Sequence, residues 1–511
     1  MGRLTHRLGS MALGALLGCG AFAIEDPPAA SETDGGEPEP FVPEGTIITH
    51  AFGAGVLQPF EELLPCVSWT LNNEQALYVQ EVTLSNEGSF HHSNWFIVPE
   101  DAFAGDDGWW SCSSRGFDEI SAARQGTVLF AQSTQSYTEN QRLSDGAVIK
   151  IPPRSRIVAD VHLLNLAPRP IETRMWLSLE LLHPRDVDVV VTPFRLSYVD
   201  LDIPARAQSH HTGDCDFATR HESITGEPLK LQLHYVLPHF HGLGNHFDLT
   251  VSGGSRDGES IYRLDGFNGE PNGQTFDPPL DLDDARGLRF TCGYDNWTDQ
   301  NVGWGFGNQE MCVMLGLAEA DMIFDGTVLS GSRIVDVVDG VRMVEGACLV
   351  LSYPKHADQG PPTPEEIEGP LYLPPVDPAS AGVPPVPPCR NADPSVAPSI
   401  EPTLAALREQ VFVPACTFSS CHGQGAIAGL DLLRSDLHTA LLDHTVVANV
   451  DLPLVAPGDP EHSWLYRLLS ECNPTDDAGN PVPHMPRNAP ILLDDDLVAA
   501  VRVWIEAGAP E

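Results

Sequence analysis

From Thr46 to Tyr353 the chain is a succession of short β-branched or aromatic runs, often alternating and separated by Pro, Gly or Asn. No convincing amphipathic helix interrupts them. Leu77 to Leu84, Val148 to Ile151, Arg156 to Leu166, Trp176 to Leu182 and Val187 to Val199 are examples. A run this long predicts a mainly β fold: two antiparallel, jelly-roll-like β-sandwiches in series, 46–201 and 202–356, divided near Asp202-Ile203-Pro204. Gly360 to Pro402 then holds 14 prolines, which predicts a stiff extended linker over 357–399. Past it the period changes. Ile400 to Val411 and Asp494 to Ala507 space apolar residues three and four apart, and Asp494 to Asp496 supply acids suited to a helix start. Residues 400–511 are therefore predicted to be a small, mainly α domain, and 511 residues accommodate three domains.

Charge and the N-terminus narrow the function classes. Lys+Arg total 28 against Asp+Glu 71, a formal net charge of -43, so the surface repels phosphate backbones and nucleic-acid binding is not expected. Met1 to Arg7 carries two arginines, and Leu8 to Leu17 is an apolar run too short to span a bilayer as a mature helix. It ends in Leu16-Leu17-Gly18-Cys19, similar to the lipobox of bacterial lipoproteins. This predicts a signal peptide over 1–19, lipidation at Cys19 and a flexible acidic tether over 20–45. The plainer alternative makes Cys19 a small residue near an ordinary cleavage site. Both predict export; the lipobox reading places the protein in the cell envelope, on the periplasmic face or the outer membrane, with membrane contact through a lipid anchor alone. In that compartment the remaining ten cysteines pair or bind cofactors, and sequence alone does not fix their connectivity.

Histidines supply the candidate chemistry. His239-Phe240-His241 is an H-x-H, and on a strand residues i and i+2 share a face, so both imidazoles can chelate one ion. His91-His92 is an adjacent pair, able to bind one metal only where the backbone is twisted or the ring nitrogens are chosen to suit. His162 lies mid-strand and shares a face with Asp160. Each could instead be an ordinary core or surface histidine. His210-His211, in a polar loop-like stretch, is read as a decoy pair. Met311, in Gln309-Glu310-Met311-Cys312, offers a soft thioether that favours Cu(I), while imidazole suits both copper states.

Taken in order, Ser89-Phe90-His91-His92, Val161-His162, His239-Phe240-His241-Gly242-Leu243-Gly244, Cys292-Gly293-Tyr294-Asp295-Asn296 and Glu310-Met311-Cys312 resemble the copper type II, ascorbate-dependent monooxygenases, the family of the peptidylglycine and dopamine hydroxylases. The resemblance covers roughly Phe60 to Tyr353. It implies an electron-transfer copper on His91, His92 and His162, and an oxygen-activating copper on His239, His241 and Met311. It also implies disulfides Cys66–Cys112, Cys215–Cys348 and Cys292–Cys312. The peptide hydroxylase holds its peptide with an arginine two residues before the H-x-H and an Asn-x-Tyr after the Met-Cys. This chain has Leu237 and Val313-Met314-Leu315 there, which implies a smaller or more apolar substrate.

Cys416-Thr417-Phe418-Ser419-Ser420-Cys421-His422 is a C-x4-C-H, two residues longer than the C-x-x-C-H of c-type haem attachment. With Met485 as distal ligand, the region resembles a single-haem cytochrome c domain, which implies a covalent haem c on Cys416, Cys421 and His422. The alternative is a Cys416–Cys421 disulfide without haem. Cys389 and Cys472 remain to pair with each other. The expectation is an exported copper monooxygenase that hydroxylates a C–H bond of a small molecule with O2. Ascorbate or another one-electron donor would reduce it, with electron delivery by the haem domain. The alternative is a non-catalytic copper-binding or electron-transfer envelope lipoprotein.

Overall fold

A computed structural model describes residues 46–511, apart from 89, 133–136, 166–168, 266–272, 306–308, 378–379, 381–382, 385–388, 418–420, 424–426, 447 and 488–491. The predicted signal peptide, Cys19 and the acidic tether lie outside the described residues, as does Ser89 of the first histidine motif. The chain is mainly β, with sandwich-like sheets followed by a small helical region, as expected.

The first sandwich packs two sheets. One orders the strands Thr46–Leu57, Ile171–Leu181, Leu77–Asn86, Ala147–Ile151 and Val189–Val190, with Thr138–Arg142 also on Leu77–Asn86. The other orders Gly108–Ser111, Pro65–Thr70, Ser155–Leu164, Phe90–Pro99 and Thr127–Gln132, and Glu62–Leu63 adds to Ser155–Leu164. Strand alternation decides what the second sheet shows outward. Ile157, Ala159, Val161 and Leu163, with Trp95 and Ile97, fill the core between the sheets. Asp160 and His162, and likewise His92, Asn94 and Phe96, are thereby left on the opposite face.

The second sandwich begins before the predicted division at 202. Thr192–Tyr198 pairs antiparallel with Val313–Glu319 and parallel with Met322–Val328, while Val189–Val190 still pairs with Ala147–Ile151 of the first sandwich. The apolar run Val187 to Val199 thus spans both domains. The second sandwich is one 11-stranded sheet folded over itself. Its last strand, Val341–Pro354, pairs near its start with Ala207–Asp216 and Arg333–Val338, and near its end with Met322–Val328. Phe217, Phe247, Phe290, Phe324 and Tyr294 are fully buried within it. Among the described residues the named strands pair antiparallel except in three parallel pairs.

Two helices not foreseen interrupt the strands, Glu119–Gln125 and Phe217–Thr225, N-capped by Asp118 and Asp216. At two turns they are too short to print a helical period, and their caps are the legible signal. The linker is not a free spacer. It contains the helix Pro364–Glu368 and lies on the first sandwich, where Lys150 Nζ donates to the Gly360 carbonyl (3.1 Å) and Glu74 N donates to Tyr372 Oη (2.9 Å). The C-terminal region packs Leu404–Leu407, Val413–Cys416, Leu437–Asp443, Trp464–Ser470 and Asp495–Glu506 around Leu407, Phe412, Val501 and Trp504. The four disulfides are Cys66–Cys112, Cys215–Cys348, Cys292–Cys312 and Cys389–Cys472. That number of bridges is characteristic of an oxidising compartment, in keeping with export.

Candidate metal centre

The paired histidines become neighbours through a backbone irregularity. His162 pairs with His92 but Leu163 pairs with Phe90, so His91 is the extra residue of a β-bulge. A bulge turns its side chains out of strict alternation, which is how two consecutive imidazoles come to face the same partner. One ligand atom from each of His91, His92 and His162 lies within 4.8 Å of the others, and His162 Nδ1 is 3.2 Å from His92 Nε2. The other nitrogen of His162, Nε2, meets Glu62 Oε1 at 2.7 Å. A carboxylate accepts there, so Nε2 carries the proton and the Nδ1 lone pair faces the cluster.

The H-x-H is built differently from expectation. His239 is the last residue of the strand Gln232–His239, whereas His241 lies beyond it. What fixes His241 is Glu310: one carboxylate oxygen accepts from His241 N (2.8 Å) and Met311 N (3.3 Å), the other from Leu243 N (2.7 Å). His241 Nδ1 donates to the Gln309 carbonyl at 2.7 Å, leaving Nε2 open to a ligand. Glu310 is 2 % exposed, and burial pushes its pKa up to about 8 against the pull of its three N–H donors. Met311 is buried, its carbonyl accepts from Tyr294 Oη (2.7 Å), and the Cys292–Cys312 bridge ties the next residue to the sheet. Neither Glu62 nor Glu310 was singled out as functional from sequence. Glu310 stood inside the quoted motif, and Glu62 carries no local signal.

The two sets meet. The rings of His92 and His239 are 5.7 Å apart, and those of His239 and His241 5.2 Å. Burial, then the neighbouring imidazoles, hold His92 well below the usual histidine range; burial likewise lowers His239 to about 3 and also lowers His241. These rings are therefore neutral near pH 7 and their nitrogens are available as donors. The three-histidine set offers three imidazole donors within reach of one ion, and the second set has the neighbouring imidazoles of His239 and His241, with the Met311 backbone tied to that of His241 through Glu310. Imidazole and thioether are donor types that suit copper, and the three-histidine set brings its donors within reach of one ion. His210 stacks on His246 at 4.7 Å in a separate place on the second sandwich, and His211 is buried against Tyr198 and Tyr294, so neither joins the cluster.

Beyond the histidines the same two strand faces enclose a cavity of about 360 Å³. On one side it is lined by Asn94 and Phe96, two and four residues past His92; on the other by Leu237 and Tyr235, two and four residues before His239. At about 3.3 Å per residue the nearer pair sits roughly 7 Å along each strand from those histidines. Leu315, paired with Leu237, and Leu317 continue the apolar wall. Glu119, bonded to Asn94 Nδ2 at 2.7 Å, and the Arg195–Asp325 pair are among its charged members.

The C-terminal domain brings Cys416 and Cys421 together. Cys416 is half-buried, and desolvation, then the neighbouring Cys421, pushes its thiol up to about 12. His422 Nδ1 lies 3.2 Å from the Leu430 carbonyl, and Met485 packs on the domain core together with Cys416. Two thiols, an oriented imidazole and a thioether are a donor set compatible with haem c.

No family model matches the chain, and no curated protein does. Solved structures that align with it include a candidate secreted protein from Parabacteroides distasonis ATCC 8503 (10% identity, 54% of this chain, 90% of that one, TM-score 0.15), the cowpea mosaic virus top component (9%, 52% and 89%, 0.25) and the PBSX exported protein XepA (8%, 53% and 86%, 0.15).

Proposed function

We propose that this protein is an exported copper monooxygenase that hydroxylates a C–H bond of a small, largely apolar molecule. The observation that carries the reading is the convergence of five histidines from two sandwiches at one interface, beside an apolar cavity lined by the same two strands. Copper bound there would supply one-electron chemistry towards O2, one oxygen atom entering the substrate and the other leaving as water, with two electrons from ascorbate or another reductant.

The chain's own groups support this chemistry in definite ways. His91, His92 and His162 would hold one ion, and His239, His241 and Met311 the other. Glu310 and the Cys292–Cys312 bridge keep the Met311 segment against His241. Leu237 and Leu315 are apolar where the resemblance implies a peptide's polar anchors, the wall is mainly apolar with Asn94, Gln141, Arg124 and Arg195 among its polar members, and a volume of 360 Å³ suits a compact ligand. The C-terminal domain, with haem on Cys416, Cys421, His422 and Met485, would deliver electrons. Cys19 would tether the protein to the envelope membrane.

The deciding experiment loads the exported protein with copper and follows O2 uptake while apolar candidates are added. Substrate-dependent uptake that disappears in Met311→Ile supports the oxygenase. Copper binding and redox cycling with no substrate-dependent uptake favours the electron-transfer lipoprotein instead.

A further inference from the structure

Phe60 occupies an unusual position. It belongs to the first sandwich, yet among the described residues it is the one hydrophobic side chain from 46–353 that packs against the hydrophobic cluster of the C-terminal domain. Its backbone is left-handed, with φ of 56°. A bulky non-glycine residue is held in that region only where its surroundings determine it, and here those surroundings include another domain.

Phe60 is also two residues from Glu62, whose carboxylate orients His162. The turn between them is riveted to the strand that carries His162. Asn165, three residues past His162, donates from N to the Glu61 carbonyl (2.9 Å) and from Nδ2 to the Gln58 carbonyl (2.8 Å), and Glu62 itself pairs with Leu164. A second link runs nearby, where Arg169 pairs with Asp494 at the start of the last helix, Asp495–Glu506. The C-terminal domain and the three-histidine cluster are therefore linked through the short turn 58–62, with Arg169–Asp494 as a second tie beside it.

We propose that Glu62 is a positioning residue of the three-histidine centre, and that the C-terminal domain sets its position through Phe60. The inference rests on reading His91, His92 and His162 as a metal centre. Glu62 holds the Nε2 proton of His162 and so presents Nδ1 to the ion; a carboxylate behind a ligating imidazole both fixes the ring and raises its basicity. Docking of Phe60 in the C-terminal core keeps the turn, and with it Glu62, in place. The domain then has a structural share in the centre whatever cofactor it carries.

The test is Cu(II) titration of the full chain in a His239→Ala, His241→Ala, Cys416→Ser, Cys421→Ser background, which removes the second histidine set and the C-terminal thiols, with His162→Ala in the same background identifying the signal of the three-histidine centre. Affinity is read by chelator competition and ligand geometry by electron paramagnetic resonance. Glu62→Gln, nearly isosteric, is expected to weaken Cu(II) binding 10–100-fold and to change the hyperfine pattern. Phe60→Gly removes the anchor at a φ that glycine adopts freely, so the turn can still form; it is expected to move affinity and spectrum in the same direction. Phe60→Leu, which keeps an apolar anchor, is expected to restore both. Unchanged binding and spectrum in Glu62→Gln would overturn the positioning role. A Glu62→Gln effect with none in Phe60→Gly would overturn the coupling to the C-terminal domain. If His162→Ala binds Cu(II) as the parent does, the metal-centre reading itself is lost, and the inference with it.

Discussion

Replacing Glu310 by alanine removes the acceptor that three backbone N–H groups share, those of His241, Leu243 and Met311. Each buried donor left without a partner loses roughly 1–3 kcal/mol. The low end applies, because the substitution also relieves the desolvation of a carboxyl whose pKa burial has pushed up to about 8. Three donors at that low end give about 3 kcal/mol, concentrated in the His241–Leu243 turn. At about 1.4 kcal/mol per decade, this is roughly a 100-fold rise in local opening. Hydrogen–deuterium exchange with mass spectrometry reads it directly: peptides covering 239–245 and 309–313 should lose protection, while those of the first-sandwich core stay as they were. Glu310→Gln keeps one oxygen acceptor and should fall between, at about tenfold. A change of less than about threefold in Glu310→Ala would refute the assignment of Glu310 as the clamp between the H-x-H and Met311.

Opening the Cys292–Cys312 bridge with a double serine substitution should lower stability by about 3 kcal/mol, since it closes a loop with a sequence separation of 20; calorimetry that shows no shift would contradict this. Leu237→Ala, at a buried cavity wall, should destabilise by about 2–4 kcal/mol and enlarge the cavity, so a thermal unfolding temperature equal to the parent's would count against its packing role. His234 is buried beside Ser144 Oγ of the other sandwich, and burial lowers its pKa to about 4. A base whose folded pKa is depressed contributes stability that is present above pH 6.5 and lost as pH falls towards 4, here at most about 3 kcal/mol. Urea titrations of the parent and His234→Gln at pH 7 and 4.5 should therefore show the larger loss in the parent.

What the sequence disclosed follows from which interactions are local. Strands such as Leu77–Asn86 and Ser155–Leu164 announce themselves because alternation is written residue by residue. The four pairings of cysteines were implied by a resemblance and by the remainder of a count, and the structure has all four. The histidines were legible as candidates, but the bulge at His91 was not, because an extra residue is defined only against the partner strand that omits it. The same holds for Glu62, whose partner His162 is a hundred residues away, and for the domain boundary, where Val187 to Val199 reads as one apolar run although its two halves pair with different sheets. Leu237 and Leu315 were noted as places where polar anchors are missing; that they form one wall of a cavity beside the histidines needed the register of two strands.

The long strand Val341–Pro354 sets an order on how the protein can be made. Ala207–Asp216 and Met322–Val328 both wait for it as a neighbour, and Cys215 finds its disulfide partner only at Cys348 on this strand, 133 residues later. The second sandwich consequently cannot close until nearly all of its chain has emerged on the oxidising side. Until then Cys215 is an unpaired thiol in the company of Cys292, in a domain rich in distant contacts that form slowly. An oxidant that acts too early can trap the wrong pair, so the yield of native protein depends on disulfide reshuffling as well as on disulfide formation. The first sandwich faces a milder version of this constraint, since Cys66 meets Cys112 after only 46 residues.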